Sequence, residues 1–337
     1  MKFSIRLEQQ GSLKTLKKTN PSKIIMGPGY HDYSGGPFWS FFGLDKEKVE
    51  KIYYTEHLRF FDRYLKNKKN GIDEEPPILI YVMNGSGWRF ENEWPLKRQQ
   101  PVDFYLAGGN RLSMDIPTPE KVTYRADFTH SSVYGSNGGN RWLGIAANEP
   151  DSLPYRNKHD KKALIFETTQ LASDMEVTGH PLIRLFLSST ADYGDFFVYL
   201  SDVDPAGNVL LVSEGQLRAG FAACYDNDTM IKTDGGIDVL PDLPWHGYEK
   251  NQYQERILAE NAMIDLLIDF HPTAWVFKKG HQIRVSLACA DAPTFRLHPK
   301  LAPHNKSEDP ANIIPEITVH TGPINASRLT LPVIPEN

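Results

Sequence analysis

The chain has 337 residues, 40% of them hydrophobic and 23% charged, a balance that places it among folded globular proteins and excludes disordered or fibrous ones. A formal net charge of -5 without any basic block excludes a nucleic-acid partner, because phosphate binding needs clustered Lys and Arg. At ~100 to 200 residues per domain the length allows two domains, each able to bury its own core.

The first segment, Met1 to Asn20, has no continuous apolar run, and no later stretch approaches the ~18 apolar residues of a membrane span. The expectation is therefore a chain without a membrane segment, working in the cytoplasm. Ile24-Ile25-Met26, closed by Gly27-Pro28-Gly29, reads as a short buried strand ending in a loop, with His31 just beyond it. From Asp45 to Lys66 the residues Tyr54, Leu58, Phe61 and Leu65 recur at helical spacing among Lys, Glu and Arg, which predicts an amphipathic helix. His57 falls on its apolar face and reads as structural. After the Pro76-Pro77 breaker, Ile78 to Val82 predicts a second strand. Strand, helix and strand together make an α/β fragment over residues 1–105.

Past Leu106 the character changes to many alternating segments separated by Gly, Pro, Asn and Asp clusters, so residues 106–337 read as all-β. Ile183, Leu185 and Leu187 alternate with polar or outward positions, as do Ile283, Val285, Leu287 and Cys289. Ile264, Leu266, Ile268 and Phe270 alternate too, with Pro272 after them, which predicts a strand rather than a helix. Short strands at this density suggest a two-sheet sandwich of the jelly-roll type.

Candidate metal chemistry is thin. The run Asp202 to Asn208 starts like a calcium loop, with Gly207 at the sixth position, but Ala206 at the fifth and Ser213 at the twelfth stand where ligands belong, so a hairpin turn is expected. His271, His281, His298, His304 and His320 are scattered without ligand spacing, and neither a metal nor a cofactor is expected. Cys224 and Cys289, far apart, read as buried thiols outside any disulfide framework.

Three stretches, in order, resemble the X-Pro dipeptidyl-peptidase, cocaine esterase (CocE/NonD) and α-amino-acid ester hydrolase family of serine hydrolases. Ile25-Met26-Gly27-Pro28-Gly29-Tyr30-His31 resembles a Gly-Pro-Trp-Ser-His signature whose histidine is the catalytic base, with Gly29 and Tyr30 replacing Trp and Ser. Glu56 to Lys66 followed by Glu93-Trp94-Pro95 is similar to the helix and turn beyond that signature. Val177-Thr178-Gly179-His180-Pro181, Asp202-Val203-Asp204-Pro205-Ala206-Gly207, Gly215-Gln216-Leu217-Arg218, Lys279 to Ser286 and Ser327 to Pro332 are similar to landmarks of the non-catalytic C-terminal domain. The resemblance implies a C-terminal fragment of an α/β-hydrolase domain followed by a jelly-roll (galactose-binding-like) sandwich, with His31 as triad base.

α/β-hydrolases carry their nucleophile in a Gly-x-Ser-x-Gly elbow that precedes the acid and the histidine. No such pentapeptide occurs; Asn84-Gly85-Ser86-Gly87 and Gly135-Ser136-Asn137-Gly138 each lack a residue and read as turns. The expectation is that Ser and Asp lie outside this sequence and that the chain is inactive alone. Its expected partners are the N-terminal half of the hydrolase or other copies of the chain, and an ester or peptide substrate once assembled. Tyr30, Tyr33, Phe38, Trp39, Phe41 and Phe42 could line a pocket beside His31 or pack the domain junction. Two other readings stay open: a jelly-roll binding module, with Trp142, Trp245 and Trp275 as its aromatics, and a non-catalytic relic.

Overall fold

The computed structural model describes residues 22–28, 37–134, 152–225, 243–301 and 314–335. Its first part runs β1 (Ile24–Met26), α1 (Pro37–Phe41), α2 (Lys46–Lys66), β2 (Ile78–Val82) and β3 (Gly87–Glu91). β1 pairs parallel with β2, Ile25 opposite Leu79, and β2 turns through Asn84-Gly85-Ser86 into antiparallel β3, giving a three-stranded sheet in the order β1-β2-β3.

α2 is set by its ends. Asp45 caps it by accepting from the Lys48 amide at 3.2 Å, Glu47 lies in the first turn, Arg63 and Lys66 lie in the last, and Asn67 closes it in the left-handed region. The apolar stripe foreseen from the sequence exists, but it faces outward. Tyr54, Leu58, Phe61 and Leu65 are 63%, 66%, 50% and 77% exposed. The face turned to the sheet is held by charge: Lys23 pairs with Glu56 at 2.8 Å and with Glu75, Arg59 pairs with Glu56 at 2.7 Å and with Glu75, and Arg63 pairs with Asp73 at 2.8 Å.

The remainder is strand and short turns: β4 (Gln100–Ala107), β5 (Arg111–Ser113), β6 (Lys121–Arg125), β7 (Leu164–Glu167), β8 (Met175–Gly179), β9 (Leu182–Ser189), β10 (Asp195–Val203), β11 (Val209–Arg218), β12 (Cys224–Tyr225), β13 (Trp245–His246), β14 (Ile264–Asp269), β15 (Thr273–Phe277), β16 (Gln282–Ala288), β17 (Glu316–His320) and β18 (Arg328–Ile334). β4 already belongs to the large sheet, so that sheet begins before residue 106. One run of strands goes β11-β10-β16-β7; another joins β4, β18, β9, β17 and β6, with β14 also on β9 and β8 on β18 and β15. This is the β sandwich expected. Its interior is filled by alternate residues of facing strands: Ile183, Leu185 and Leu187 of β9, Val198 and Leu200 of β10, Leu266 and Ile268 of β14, Val285 and Leu287 of β16.

Alternation fails where a third layer covers a strand. Every residue of β10 is buried, because Phe197 and Tyr199 pack with Leu211, Ala288 and Phe295 on the side away from the main core. Cysteine burial also departs from expectation: Cys289 is buried, whereas Cys224 is exposed on β12, its Sγ 3.9 Å from His246 Nδ1. β12 and β13 form a two-stranded antiparallel pair of their own, Cys224 opposite His246, outside the large sheet.

The small sheet is not a free-standing unit. Met26, Ile78, Ile80, Val82, Trp94 and Leu96 share one apolar cluster with Ala274, Val276 and Ile334 of the sandwich. Met83 exchanges backbone hydrogen bonds with the β15 strand, its amide to Ala274 O at 2.9 Å and its carbonyl from Val276 N at 3.0 Å. Charges finish the junction: Arg89 holds Glu176 bidentately at 2.9 and 2.6 Å and reaches Glu91 at 2.7 Å, and Arg98 grips the same buried Glu91.

Candidate active site

In an open α/β sheet, ligands gather beyond the carboxyl ends of the parallel strands. Here that edge is where β1 leaves through Gly27 and the buried Pro28, and where β2 leaves through Met83 and Asn84. His31 lies outside the described residues, as do Tyr30 and Tyr33. The end of β1 is defined by what meets Gly27. A Cβ added there would come 1.9 Å from Tyr53 Oη and 2.8 Å from Trp88 Cη2, so the strand end is clamped between α2 and β3. Tyr53 meets Trp88 edge-on at 6.0 Å, and Trp88 meets Tyr81, its cross-strand partner, at 5.4 Å. Burial pushes the Tyr81 phenol up from its ordinary value.

Replacing Gly27 by Ala is expected to force Tyr53 and Trp88 apart, at a cost of about 1–3 kcal/mol. Urea unfolding of the variant, read beside wild type, checks this; an unchanged midpoint would show that the clamp yields freely.

The aromatic residues named from the sequence divide. Phe42 packs edge-on against Trp275 of the sandwich at 5.6 Å, a junction contact; Trp39 is buried and Phe41 is half exposed. Trp275 is itself in the core, donating from Nε1 to Asp202 at 2.9 Å, so it offers no ligand face; Trp245 is partly buried and Trp142 lies outside the described residues. His57 is exposed and its Nδ1 lies 2.7 Å from the Tyr53 carbonyl one turn back, a local helix contact.

Asp202 to Asn208 is the expected turn. The Asp204 carboxylate accepts from the amides of Ala206 and Asn208 at 2.9 and 2.8 Å and from the Asn208 side chain at 2.7 Å, so its oxygens serve the turn itself. Among the described residues no group of three or more His, Cys, Asp or Glu side chains is placed to hold a metal.

Two polar constellations escaped the sequence reading. Asp202, buried, accepts from Trp275 and pairs with His281 at 2.8 Å, tying two of the landmark stretches together across neighbouring strands. Burial pushes the Asp202 carboxyl up. More deeply, Arg156 is held by Asp160 at 3.0 Å, lies over the Tyr199 ring at 3.6 Å and donates to His130 Nε2 at 3.2 Å. Asp160 also accepts from Arg284 and Ser286. The Arg156, His130, Asp160, Arg284 and Ser286 groups partner one another inside the sandwich, which marks them as its supports. A signal existed for the first pair, since Asp202 and His281 both sit in landmark motifs; for Arg156 and His130 there was none.

Residues 70–330 match the family described as the X-Pro dipeptidyl-peptidase C-terminal non-catalytic domain. Over 322 residues the chain is 31% identical to a protein of Mycobacterium bovis provisionally named a serine esterase, covering 94% of this chain and 46% of that one. It is 26% identical over 339 residues to the cocaine esterase of a Rhodococcus species, covering 96% and 54%. Among solved structures, an α-amino acid ester hydrolase superposes with a TM-score of 0.67 at 18% identity, covering 95% of this chain and 51% of the other. A CocE/NonD family hydrolase from Staphylococcus aureus superposes at 0.62 and 16%, covering 95% and 55%. These likenesses show a shared fold, and the chain spans about half the length of the curated relatives it matches.

Proposed function

Since the chain belongs to the X-Pro dipeptidyl-peptidase C-terminal domain family of CocE/NonD-type hydrolases, we propose that it is the histidine-bearing part of a serine hydrolase that cleaves esters or X-Pro amides. The observation that carries this reading is the parallel β1–β2 pair, whose carboxyl edge leads through Gly27 and Pro28 toward His31. The nucleophilic serine and the orienting carboxylate come from an α/β segment outside this sequence. In the assembled enzyme His31 takes the proton of the serine hydroxyl as that oxygen attacks the carbonyl carbon. It then protonates the leaving alcohol or amine, giving an acyl-enzyme, and repeats the cycle with water as nucleophile.

Hydrolysis of a p-nitrophenyl ester and of an X-Pro p-nitroanilide tests the proposal. The purified chain alone is expected to give no rate above buffer, and the chain joined to the α/β segment a rate abolished by a serine-directed inhibitor. An inhibitor-sensitive rate from the chain alone would mean that the nucleophile lies within these 337 residues, and silence from the assembled pair would remove the catalytic reading.

A further inference from the structure

We propose that the free edge of β6 takes up an extended, acidic stretch of another polypeptide as an added strand of the sandwich. The proposal concerns the sandwich alone and stands independently of the hydrolase reading.

β6 ends the run β4-β18-β9-β17-β6, and among the described residues its strand partner is β17 alone. The register fixes which backbone groups are left over. The Thr321 amide donates to the Glu120 carbonyl at 3.0 Å and the Ala126 amide to the Pro315 carbonyl at 2.9 Å, so the even-numbered residues from 120 to 126 bond toward β17. In an antiparallel pair successive residues turn their backbone groups to opposite sides, so Lys121, Thr123 and Arg125 present amide and carbonyl outward. The same three side chains are exposed, while Val122 and Tyr124 pack against the core. Evenly spaced, outward donors and acceptors on a regular antiparallel edge are what a further strand needs in order to pair.

Charge selects the occupant. Lys121 and Arg125 stand on the exposed face, and Lys161 and Lys162 follow nearby, the Tyr124 hydroxyl donating to the Lys162 carbonyl at 2.7 Å. Glu316, opposite Arg125 on β17, offsets part of this charge at one end. A second copy of the chain is disfavoured, because a two-fold axis through Thr123 would set Lys121 against the copy's Arg125 at both ends of the pair; basic edge residues keep identical edges apart. The chain's own first 21 residues fit no better, with five Lys or Arg against one Glu. An acidic strand instead places a carboxylate opposite each of Lys121 and Arg125, a favourable cross-strand pairing. Running antiparallel, it leaves β6 at the Lys121 end, toward the exposed Ile116 and Ile324. The loops that carry these two are tied together by Thr321, whose Oγ1 accepts from the Glu120 amide at 3.1 Å and donates to the Thr118 carbonyl at 3.2 Å. An apolar residue beyond the second acidic one completes the segment.

Fluorescence anisotropy of the labelled peptide Val-Glu-Val-Thr-Val-Glu-Val-Ile, titrated with the full chain, tests this. Saturable binding is expected. The same peptide N-methylated at both Glu and at Thr keeps its charge but loses the three main-chain donors, and its affinity should fall at least tenfold. Thr123→Pro removes the central outward amide without touching a bond to β17, and should weaken the parent peptide equally while leaving the thermal midpoint unchanged. Lys121→Glu combined with Arg125→Glu should weaken it at least tenfold and admit the peptide with Lys in place of Glu. No binding of the parent peptide would overturn the proposal. So would equal affinity for the N-methylated peptide, which would reveal charge attraction alone, or a dimer of the chain alone that Thr123→Pro dissolves. The N-methylated peptide leaves the protein intact, so the comparison holds even where a variant folds poorly.

Discussion

Acidification from pH 6.5 to about 4 is expected to remove on the order of 3 kcal/mol of stability through His130 alone, with a smaller contribution from His180. Both imidazoles are held neutral by the same geometry. His130 Nδ1 lies 2.8 Å from the Ala290 carbonyl and so carries the proton; Nε2 then accepts from Arg156, a group that can only donate. His180 Nε2 likewise accepts from the Trp94 indole at 3.3 Å. Protonating either ring would set N–H against N–H. Burial, reinforced at His130 by the Arg156 charge, lowers His130 to about 3, and burial lowers His180 to about 4. Because both folded values lie below the ordinary 6.5, the stabilisation is complete above pH 6.5 and is lost as pH falls toward them. Asp202, Asp269 and Asp291, whose carboxyls burial pushes up, act in the opposite sense and blunt the slope.

Urea unfolding between pH 7 and 4.5 measures this, with His130→Gln as the partner experiment. Gln keeps an acceptor for Arg156 without a titrating group, so its stability should fall less steeply, by up to about 1.4 kcal/mol per pH unit. Parallel slopes for variant and wild type would show that the acid sensitivity has another source. The effect is large against a total of ~5–15 kcal/mol for an ordinary domain.

In the assembled hydrolase, His31→Ala is expected to lower kcat by 10⁴-fold or more with little change in KM, because a triad histidine acts on the transition state rather than on ground-state binding. The rate of the residual enzyme should also lose its acid limb, which reports the base in the wild type. The same substitution in the isolated chain should leave the thermal midpoint where it was. Should the assembled variant retain a rate within tenfold of wild type, His31 would not be the base, and the resemblance of Gly27 to His31 to the family signature would be one of sequence alone. The nearby Gly27→Ala change separates the two roles, since it disturbs the strand end without touching an imidazole.

Much of the architecture was readable from one dimension. The period of two in Ile183 to Leu187, in Ile264 to Phe270 and in Ile283 to Leu287 marks strands with one buried face, because side chains on a pleated strand alternate whatever lies beyond them. The helix from Lys46 to Lys66 and the Asp204 turn follow from caps and side-chain-to-backbone bonds that span only a few residues. The absence of a Gly-x-Ser-x-Gly elbow is likewise a fact of the sequence alone.

Tertiary structure decided the rest. Periodicity reveals that α2 has an apolar stripe but carries no sign for its direction; that is set by Glu75 and Asp73, which draw Arg59 and Arg63 inward and turn Leu58 and Leu65 out. Burial of both faces of β10 depends on Phe295, almost a hundred residues away. His130 finds Arg156, Asp202 finds His281 and Arg89 finds Glu176 only after the strands have paired, since a charge or a hydrogen bond is sensitive to distance in space and blind to distance along the chain.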